Sequence, residues 1–271
     1  MEETRFAAGR ARPLFIGMIH LRALPGSPRY GGAFGPVIEG AVSDLEALIE
    51  GGADGAIVEN FFDAPFYPRS VPAVTVAAMT SAAAVLRAHV PEAFLLGINV
   101  LRNDALAALS IASVVDAAFI RINVHTGVAV ADQGLLHGLA HETLRLRAAM
   151  RCRVSILADV GVKHAVPLGP RSLEDEAKDT WERGLADALL VTGSRTGAPV
   201  DEDALVSVRT SVPDAPVLAA SGVDAKTAAT LARHCDGVVV GTWLKKNGQV
   251  AEPIDPERVR QMSIVLRRLR N

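Results

Sequence analysis

The chain has 271 residues, of which 49% are hydrophobic and 21% are charged. This composition is typical of a globular protein with a large core, and it excludes a disordered chain. A formal net charge of -2 and an aromatic content of only 4% argue against a nucleic-acid-binding surface, which needs basic patches and stacking side chains.

The elements alternate along the chain after a predicted flexible tail, residues 1–13. Short apolar runs predict strands at Phe15–His20, Gly55–Asn60, Phe94–Val100, Ala117–Val124, Val154–Val160, Asp187–Thr192, Pro216–Ser221 and Asp236–Gly241. Segments of helical periodicity or with helix start signals lie between and after them, at Val37–Ile49, Ala73–His89, Asp104–Val114, Ala140–Met150, Ser172–Arg183, Glu202–Ser211, Asp224–Arg233 and Asp255–Arg270.

Eight strand–helix units predict an α/β protein, a single-domain (β/α)8 TIM barrel over residues 14–271. The strands are apolar on nearly every residue, which indicates parallel strands buried on both faces. A doubly wound open sheet is the alternative fold. That fold usually carries a G-x-G-x-x-G motif after an early strand, and the sequence contains neither this motif nor a phosphate-binding Walker A pattern.

Polar residues collect where the predicted strands end, which is where barrels place their chemistry. These are His20, Glu59, Asn60, Asn99, Arg121, Asn123, His125, Asp159, Lys163, Thr192, Ser221 and Thr242. Loop polarity explains some of them. It explains Asn99 and Arg121 less well, because both lie in apolar runs and a buried arginine needs an anionic partner, either in the protein or on a ligand.

We predict four catalytic candidates among these residues: Glu59, Asp159, His20 and Lys163. Glu59 and Asp159 lie at the carboxyl ends of the second and fifth predicted strands, so we expect them to face a common cavity as a general acid and a general base. A structural ion-pair network with Arg121 or Lys163 is the alternative. Cysteine spacing and helical histidine pairs give no support for a metal site, and we expect neither a metal nor a cofactor.

Three glycine-containing turns follow the sixth, seventh and eighth strands and predict a phosphate site. The residues predicted to bind phosphate are Thr192, Gly193, Ser221, Gly222, Gly241 and Thr242. Ordinary turn glycines are the alternative. Nearby Arg195, Lys245 and Lys246 could add positive charge, but we expect them to be solvated surface residues.

Long motifs in the chain resemble those of the BtpA/SgcQ family. They lie at Gly17–Pro28, Val58–Phe66, Gly97–Asp104, Phe119–Gly134, Ile156–Leu168, Val191–Gly197, Ser221–Ala228 and Val239–Gly248. The resemblance implies a phosphate-binding (β/α)8 barrel. It adds Asp63, Arg102, Asn103, Asp104, Asp132, Gln133 and His164 to the polar positions above. Some members of the family are named for photosystem I biogenesis, and others occur in carbohydrate-related gene clusters.

The sequence leaves three functions open and favours the first, because an assembly factor has little use for buried polar residues at one barrel mouth. The first is an acid–base isomerase, lyase or glycosidic-bond hydrolase acting on a phosphorylated sugar or nucleotide-like compound. The substrate would contact Asn60, Asn99, Arg121, Asn123, His125, Asp132 and Gln133. The others are a non-catalytic photosystem I assembly factor and a sensor of a phosphorylated ligand.

The expected partners follow from the same observations. Cys152 and Cys235 are far apart, which fits a reducing compartment, and we expect a cytoplasmic protein without a disulfide. We expect a phosphorylated small-molecule ligand, a homo-oligomer and no nucleic acid. No apolar run reaches the length of a bilayer span, which leaves only peripheral membrane contact open.

Overall fold

Eleven strands form two sheets in the computed structural model, which describes Phe6 and residues 12–193 and 200–269. The strands are β1 (Leu14–His20), β2 (Gly55–Glu59), β3 (Leu95–Asn99), β4 (Phe119–Ile122), β5 (Val128–Ala131), β6 (Gly134–His137), β7 (Ser155–Val160), β8 (Ala165–Pro167), β9 (Ala188–Val191), β10 (Val217–Ala219) and β11 (Gly237–Val240). Eight of them close a parallel barrel in the order β1–β2–β3–β4–β7–β9–β10–β11, with β11 paired to β1. The predicted (β/α)8 barrel is confirmed.

Helices follow the barrel strands. They are α1 (Gly35–Gly51), α2 (Ala73–His89), α3 (Ala105–Val114), α4 (Ala140–Met150), α5 (Leu173–Lys178), α6 (Glu202–Ser211), α7 (Ala228–Leu231) and α8 (Pro256–Arg267). A π-helical turn, Asp179–Arg183, extends α5, and short 3-10 turns occupy Phe61–Asp63, Thr242–Leu244 and Lys246–Gly248. Among the described residues, no helix combines the length and apolar character that crossing a membrane requires.

Packing fills both faces of the barrel wall. The strand side chains that point outward pack against the helices, and Gly17 in β1 makes room for Leu48 of α1, since a Cβ there would lie 2.3 Å from a Leu48 methyl carbon. The inward side chains form a separate apolar cluster inside the barrel, which includes Phe15's neighbours Leu14 and Ile16. Strands buried on both faces explain why the predicted runs are almost continuously apolar.

A small antiparallel sheet lies outside the barrel, in the order β6–β5–β8. β5 and β6 form a hairpin in the connection after β4, and β8 joins them from the connection after β7. The sequence predicts no strand in either connection. They form a sheet because β5 pairs with a segment more than thirty residues further along the chain, which local sequence patterns do not reveal.

Two differences between the predicted and the observed elements have a clear structural cause. Asp224 accepts hydrogen bonds from the N–H groups of Lys226 and Thr227, so the chain makes a turn before a helix that begins only at Ala228. Of the predicted tail, residues 1–5 and 7–11 lie outside the described residues. Phe6 is buried in the barrel interior, edge-on to Phe119 with the ring centroids 5.3 Å apart.

Candidate functional site at the carboxyl end of the barrel

Three polar side chains end neighbouring strands at one level of the barrel. His20 pairs in register with Glu59, and Glu59 pairs with Asn99. Parallel strands in register place their side chains side by side, so these residues form a row along one arc of the rim. Asn99 donates a hydrogen bond of 2.5 Å to Glu59 Oε2, which fixes the carboxylate although it is almost wholly buried.

His20 is a neutral imidazole in this setting. Burial lowers the pKa of His20 well below its ordinary value, and nearby cationic side chains lower it further. Its Nε2 lies 4.0 Å from Glu59 Oε1, so the contact is not an ion pair at neutral pH. The ring stacks on Phe61 at 4.4 Å, and among the described residues its Nδ1 has no hydrogen-bond partner.

Arg121 and Asp159 form a buried two-pronged ion pair on β4 and β7. Arg121 Nε donates to Asp159 Oδ1 at 2.9 Å, and Nη2 donates to Oδ2 at 3.0 Å. Asn123 adds a third bond to the same carboxylate, at 2.8 Å. Burial opposes the charge on Arg121, but the adjacent carboxylate outweighs it and raises the guanidinium pKa. This carboxylate is the anionic partner that a buried arginine requires.

A cavity of about 230 Å³, here called the glycine lobe, opens above the barrel between the first and last strands. Its walls include the connections after β10 and β11, with Ser221, Gly222, Gly241 and Thr242. Gly222 has a φ of 57°, a left-handed conformation that favours glycine. His20, Glu59, Arg121 and Lys163 also line this lobe.

A second cavity of about 590 Å³, here called the aromatic lobe, adjoins the first. The two share Glu59, Phe61 and Lys163 as lining residues. Most of its remaining wall comes from the connections after β2, β3, β4 and β7, with Phe62, Phe66, Arg102, Asn123, Asp132, Gln133 and His164. Arg29 joins this wall from the connection after β1. The site is therefore one cleft with two lobes, and a carboxylate and an amine stand at their junction.

Lys163 has an environment that favours the neutral amine. Burial lowers the pKa of Lys163, and the positive charges of Arg121 and Arg102 act in the same direction, against the opposing pull of the nearby carboxylates. A lysine with a lowered pKa can act as a general base, or as a nucleophile toward a carbonyl group. Glu59 and Lys163 are thus two groups able to move a proton at one position of the cleft.

The structure brings most of the predicted site residues to this cleft. His20, Glu59, Arg121, Lys163, Ser221, Gly222, Gly241 and Thr242 line the glycine lobe, and Asn123, Asp132 and Gln133 line the aromatic lobe. The other predicted residues line neither lobe, and these are Asn60, Asn99, His125, Asp159, Thr192 and Gly193. Residues 194–197 of the first predicted phosphate turn, Arg195 included, lie outside the described part of the chain.

The residues that line neither lobe hold the wall in place. Asn60 accepts a hydrogen bond from the backbone N–H of Leu101, and Thr192 donates one to the carbonyl of Gly161. His125 Nε2 contacts the carbonyl oxygen of Gly184 at 2.8 Å, and burial lowers the pKa of this histidine. Asp159 is occupied on both oxygens by Arg121 and Asn123, as described above.

The prediction that Lys245 is a solvated surface residue is wrong. Its side chain is only 2% exposed and its ammonium lies 2.5 Å from the carboxylate of Asp44 in α1. Asp44 also accepts a hydrogen bond from the backbone of Ile254. The neighbouring Lys246 is exposed, as predicted. A buried carboxylate about two hundred residues away determines which of the two lysines is buried.

Phe61, Phe62 and Arg29 line the aromatic lobe, and none of them is among the site residues predicted from the sequence. Phe61 and Phe62 directly follow the polar pair that ends β2, and aromatic side chains in a strand-end connection are a usable signal. Nothing marks Arg29, which is exposed before α1. Within the described residues, no group of three or more His, Cys, Asp or Glu side chains is arranged to hold a metal ion.

Known protein sequences match nearly the whole chain. The model of the BtpA family matches residues 11–268. The photosystem I biogenesis protein BtpA of Synechocystis is 48% identical over 244 residues, covering 90% of this chain and 84% of that protein. The putative sgc region protein SgcQ of Escherichia coli is 35% identical over 249 residues, covering 91% of each.

Solved structures are similar in fold at much lower identity. The N-(5'-phosphoribosyl)anthranilate isomerase of Pyrococcus furiosus superposes with a TM-score of 0.56 at 15% identity, covering 94% of this chain and all of that one. Structural similarity at such low identity supports the barrel fold alone, so the chemistry must be argued from the site itself.

Proposed function

The chain belongs to the BtpA family, and we propose that it is an enzyme that performs acid–base chemistry on a phosphorylated sugar or nucleotide-like compound. The observation that carries this proposal is the position of Glu59 and Lys163, which line both lobes of one cleft beside a glycine-rich wall. A substrate that spans the two lobes presents its middle atoms to these two groups. A general acid and a general base can catalyse isomerisation, a lyase reaction or glycosidic-bond hydrolysis.

The glycine lobe is the proposed phosphate site. Gly222 and Gly241 lack side chains where an anion approaches the backbone, and Ser221 and Thr242 add hydroxyl donors. Arg121, whose guanidinium pKa is raised, supplies positive charge on the opposite wall. Barrel enzymes commonly bind phosphate at the ends of the seventh and eighth barrel strands, which are β10 and β11 here.

Each of the four predicted catalytic residues has a proposed role. Glu59, held by Asn99, and Lys163, with its lowered pKa, exchange protons with the substrate. Neutral His20 donates or accepts a hydrogen bond through Nδ1, which lacks a protein partner among the described residues. Asp159 acts through Arg121, because its ion pair keeps the guanidinium charged and oriented toward the glycine lobe.

A non-catalytic role in assembly is the second candidate, and one observation favours it. Val130 of β5 is exposed and lies in register between Leu135 of β6 and Val166 of β8, both also exposed. This apolar row could contact another protein. A sensor that binds the phosphorylated ligand without turnover would use the same cleft as the enzyme. The homo-oligomer expected from the sequence stays a prediction.

The experiment is a search for turnover followed by substitution of Glu59. We would incubate the protein with ribose 5-phosphate, ribulose 5-phosphate and glucose 6-phosphate and follow conversion by phosphorus NMR. The Glu59→Gln variant keeps the shape and the bond to Asn99, and we expect it to lose about a hundredfold or more in rate. Glu142→Gln, on the exposed face of α4, is the matched control. Wild-type rates in Glu59→Gln would refute the catalytic role.

A further inference from the structure

Three cationic side chains are buried among the described residues, and they differ in their partners. Arg121 is paired with Asp159, and Lys245 is paired with Asp44. Arg102 is only 4% exposed, yet no carboxylate of the described residues lies within ion-pair distance of its guanidinium. Burial of a cation without an anionic partner carries a large free-energy cost, so this exception requires an explanation.

Arg102 has one side-chain hydrogen bond within the described protein. Its Nη2 donates to the backbone carbonyl of Lys163 at 2.5 Å. A guanidinium has five N–H donors, so most of its donor capacity is left for another group. Burial lowers the pKa of Arg102, which is the expected consequence of a desolvated charge without a counter-charge in contact. The side chain lines the aromatic lobe.

A second observation in the same lobe also indicates a missing ligand. Asn123 is buried and lines the aromatic lobe, and its Nδ2 donates to Asp159. This bond determines which way the amide faces. Its Oδ1 is buried without a hydrogen-bond partner in the described part of the protein. An acceptor in this state fits a hydroxyl or N–H group of a bound molecule.

We propose that the aromatic lobe is a second anion-binding site, in which Arg102 pairs with a carboxylate or a second phosphate of the substrate. This inference rests on the proposed function. The substrate is then a sugar phosphate with an anionic group at each end, one in the glycine lobe and one at Arg102. Asn123 Oδ1 accepts a hydrogen bond from a hydroxyl between them, and Glu59 and Lys163 face the central carbons.

The surroundings of Arg102 strengthen such an ion pair. Phe61, Phe62 and Phe66 form an apolar wall of the same lobe. A low-dielectric surface makes an electrostatic attraction stronger than it would be in water. Arg29 also lines this lobe but is exposed, so solvent screens its charge and its attraction for an anion is weaker than that of Arg102.

The experiment compares matched pairs of ligands by calorimetry. Fructose 1,6-bisphosphate differs from fructose 6-phosphate by a phosphate, and 6-phosphogluconate differs from glucose 6-phosphate by a carboxylate. We expect the doubly anionic member of at least one pair to bind about tenfold or more tightly than its partner. The pair that shows the preference identifies the second anion as phosphate or carboxylate.

Substitution at Arg102 tests the origin of that preference. Arg102→Gln should bring the two members of the pair to nearly equal affinity, and Arg102→Lys, which keeps the charge, should retain part of the difference. The control is Arg145→Gln, because Arg145 also donates to one backbone carbonyl but lies exposed on α4. If Arg102→Gln does not fold, the ratio measured in Arg102→Lys must still fall below that of wild type.

Two failures can be told apart. In the first case the singly phosphorylated ligands bind and Gly222→Val weakens their binding, so the proposed function stands. The inference is then wrong if the second anion adds no affinity, or if its advantage survives in Arg102→Gln. If none of the four ligands binds, both proposals fail. If the ligands bind but Gly222→Val leaves every affinity unchanged, the phosphate site proposed for the glycine lobe fails.

Discussion

The two halves of the barrel interior differ although the same strands build both. In β4, Phe119 points into the barrel and Arg121 points in two residues later. In β7, Leu157 precedes Asp159 in the same way. The lower half is an apolar cluster closed by Phe6, and the upper half carries buried charges. Side chains two residues apart share a face of the strand, so a single step of two residues separates the apolar cluster from the buried charges.

The largest stability effect should come from the lower half. Phe119→Ala removes a fully buried ring that packs against Phe6, and we expect it to lower the free energy of unfolding by about 3–5 kcal/mol. Urea denaturation measures this change. The folded fraction should bind phosphate ligands as wild type does. A variant that is stable but does not bind would mean that the two halves are not separable.

Breaking the buried ion pair of the upper half should have the next largest effect on stability. Asp159→Asn leaves Arg121 buried without its counter-charge, and we expect a loss of about 3 kcal/mol. The exposed Asp214→Asn should stay within about 0.5 kcal/mol of wild type. Equal stability of the two variants would show that the pair contributes little to holding Arg121.

The smallest effect should be a gain in stability at the junction of the lobes. The pKa of Lys163 is lowered from 10.5, so between the lowered pKa and 10.5 the unfolded chain binds a proton that the folded chain does not. Stability therefore rises with pH in that window, and below it the protonated Lys163 destabilises the fold. Lys163→Met should raise the melting temperature at pH 7 by about 2 °C while abolishing turnover.

The pH dependence of melting is the check on that prediction. Wild type should gain stability relative to Lys163→Met as the pH increases toward 10.5, because deprotonation removes the cost that the variant never has. A lower melting temperature for the variant at neutral pH would instead show that the ammonium of Lys163 stabilises the fold through the carboxylates near it.

The barrel is predictable from the sequence because each strand and helix is marked by residues within that element. The bounds of α2, α4 and α6 match the predicted segments, since apolar periodicity and turn signals lie within each of them. The sheet β6–β5–β8 could not be predicted in the same way, because its central strand pairs with a segment from another connection. The short helix α7 was predicted too long because Asp224 stabilises a turn with the same hydrogen bonds that cap a helix.

The candidate site was predictable to the level of its rim. Glu59 ends β2 and Lys163 follows β7, and the barrel brings strand ends together. Their partners were not predictable, because burial and pairing depend on distances across the fold. Both carboxylates of the predicted acid–base pair lie at the carboxyl ends of strands, yet only Glu59 lines the cleft. In the same way, Lys245 and Lys246 are indistinguishable in sequence and opposite in burial.

The division of the cleft between two sets of connections has an evolutionary consequence. The glycine lobe is built mainly from the connections after the last barrel strands, and the aromatic lobe mainly from those after β2, β3, β4 and β7. Mutations at residues that line only the aromatic lobe, such as Phe62, Phe66 and Arg102, leave the wall of the glycine lobe intact. A gene encoding such a barrel can diverge toward new substrates in small steps, because each intermediate retains one half of its recognition while the other half drifts.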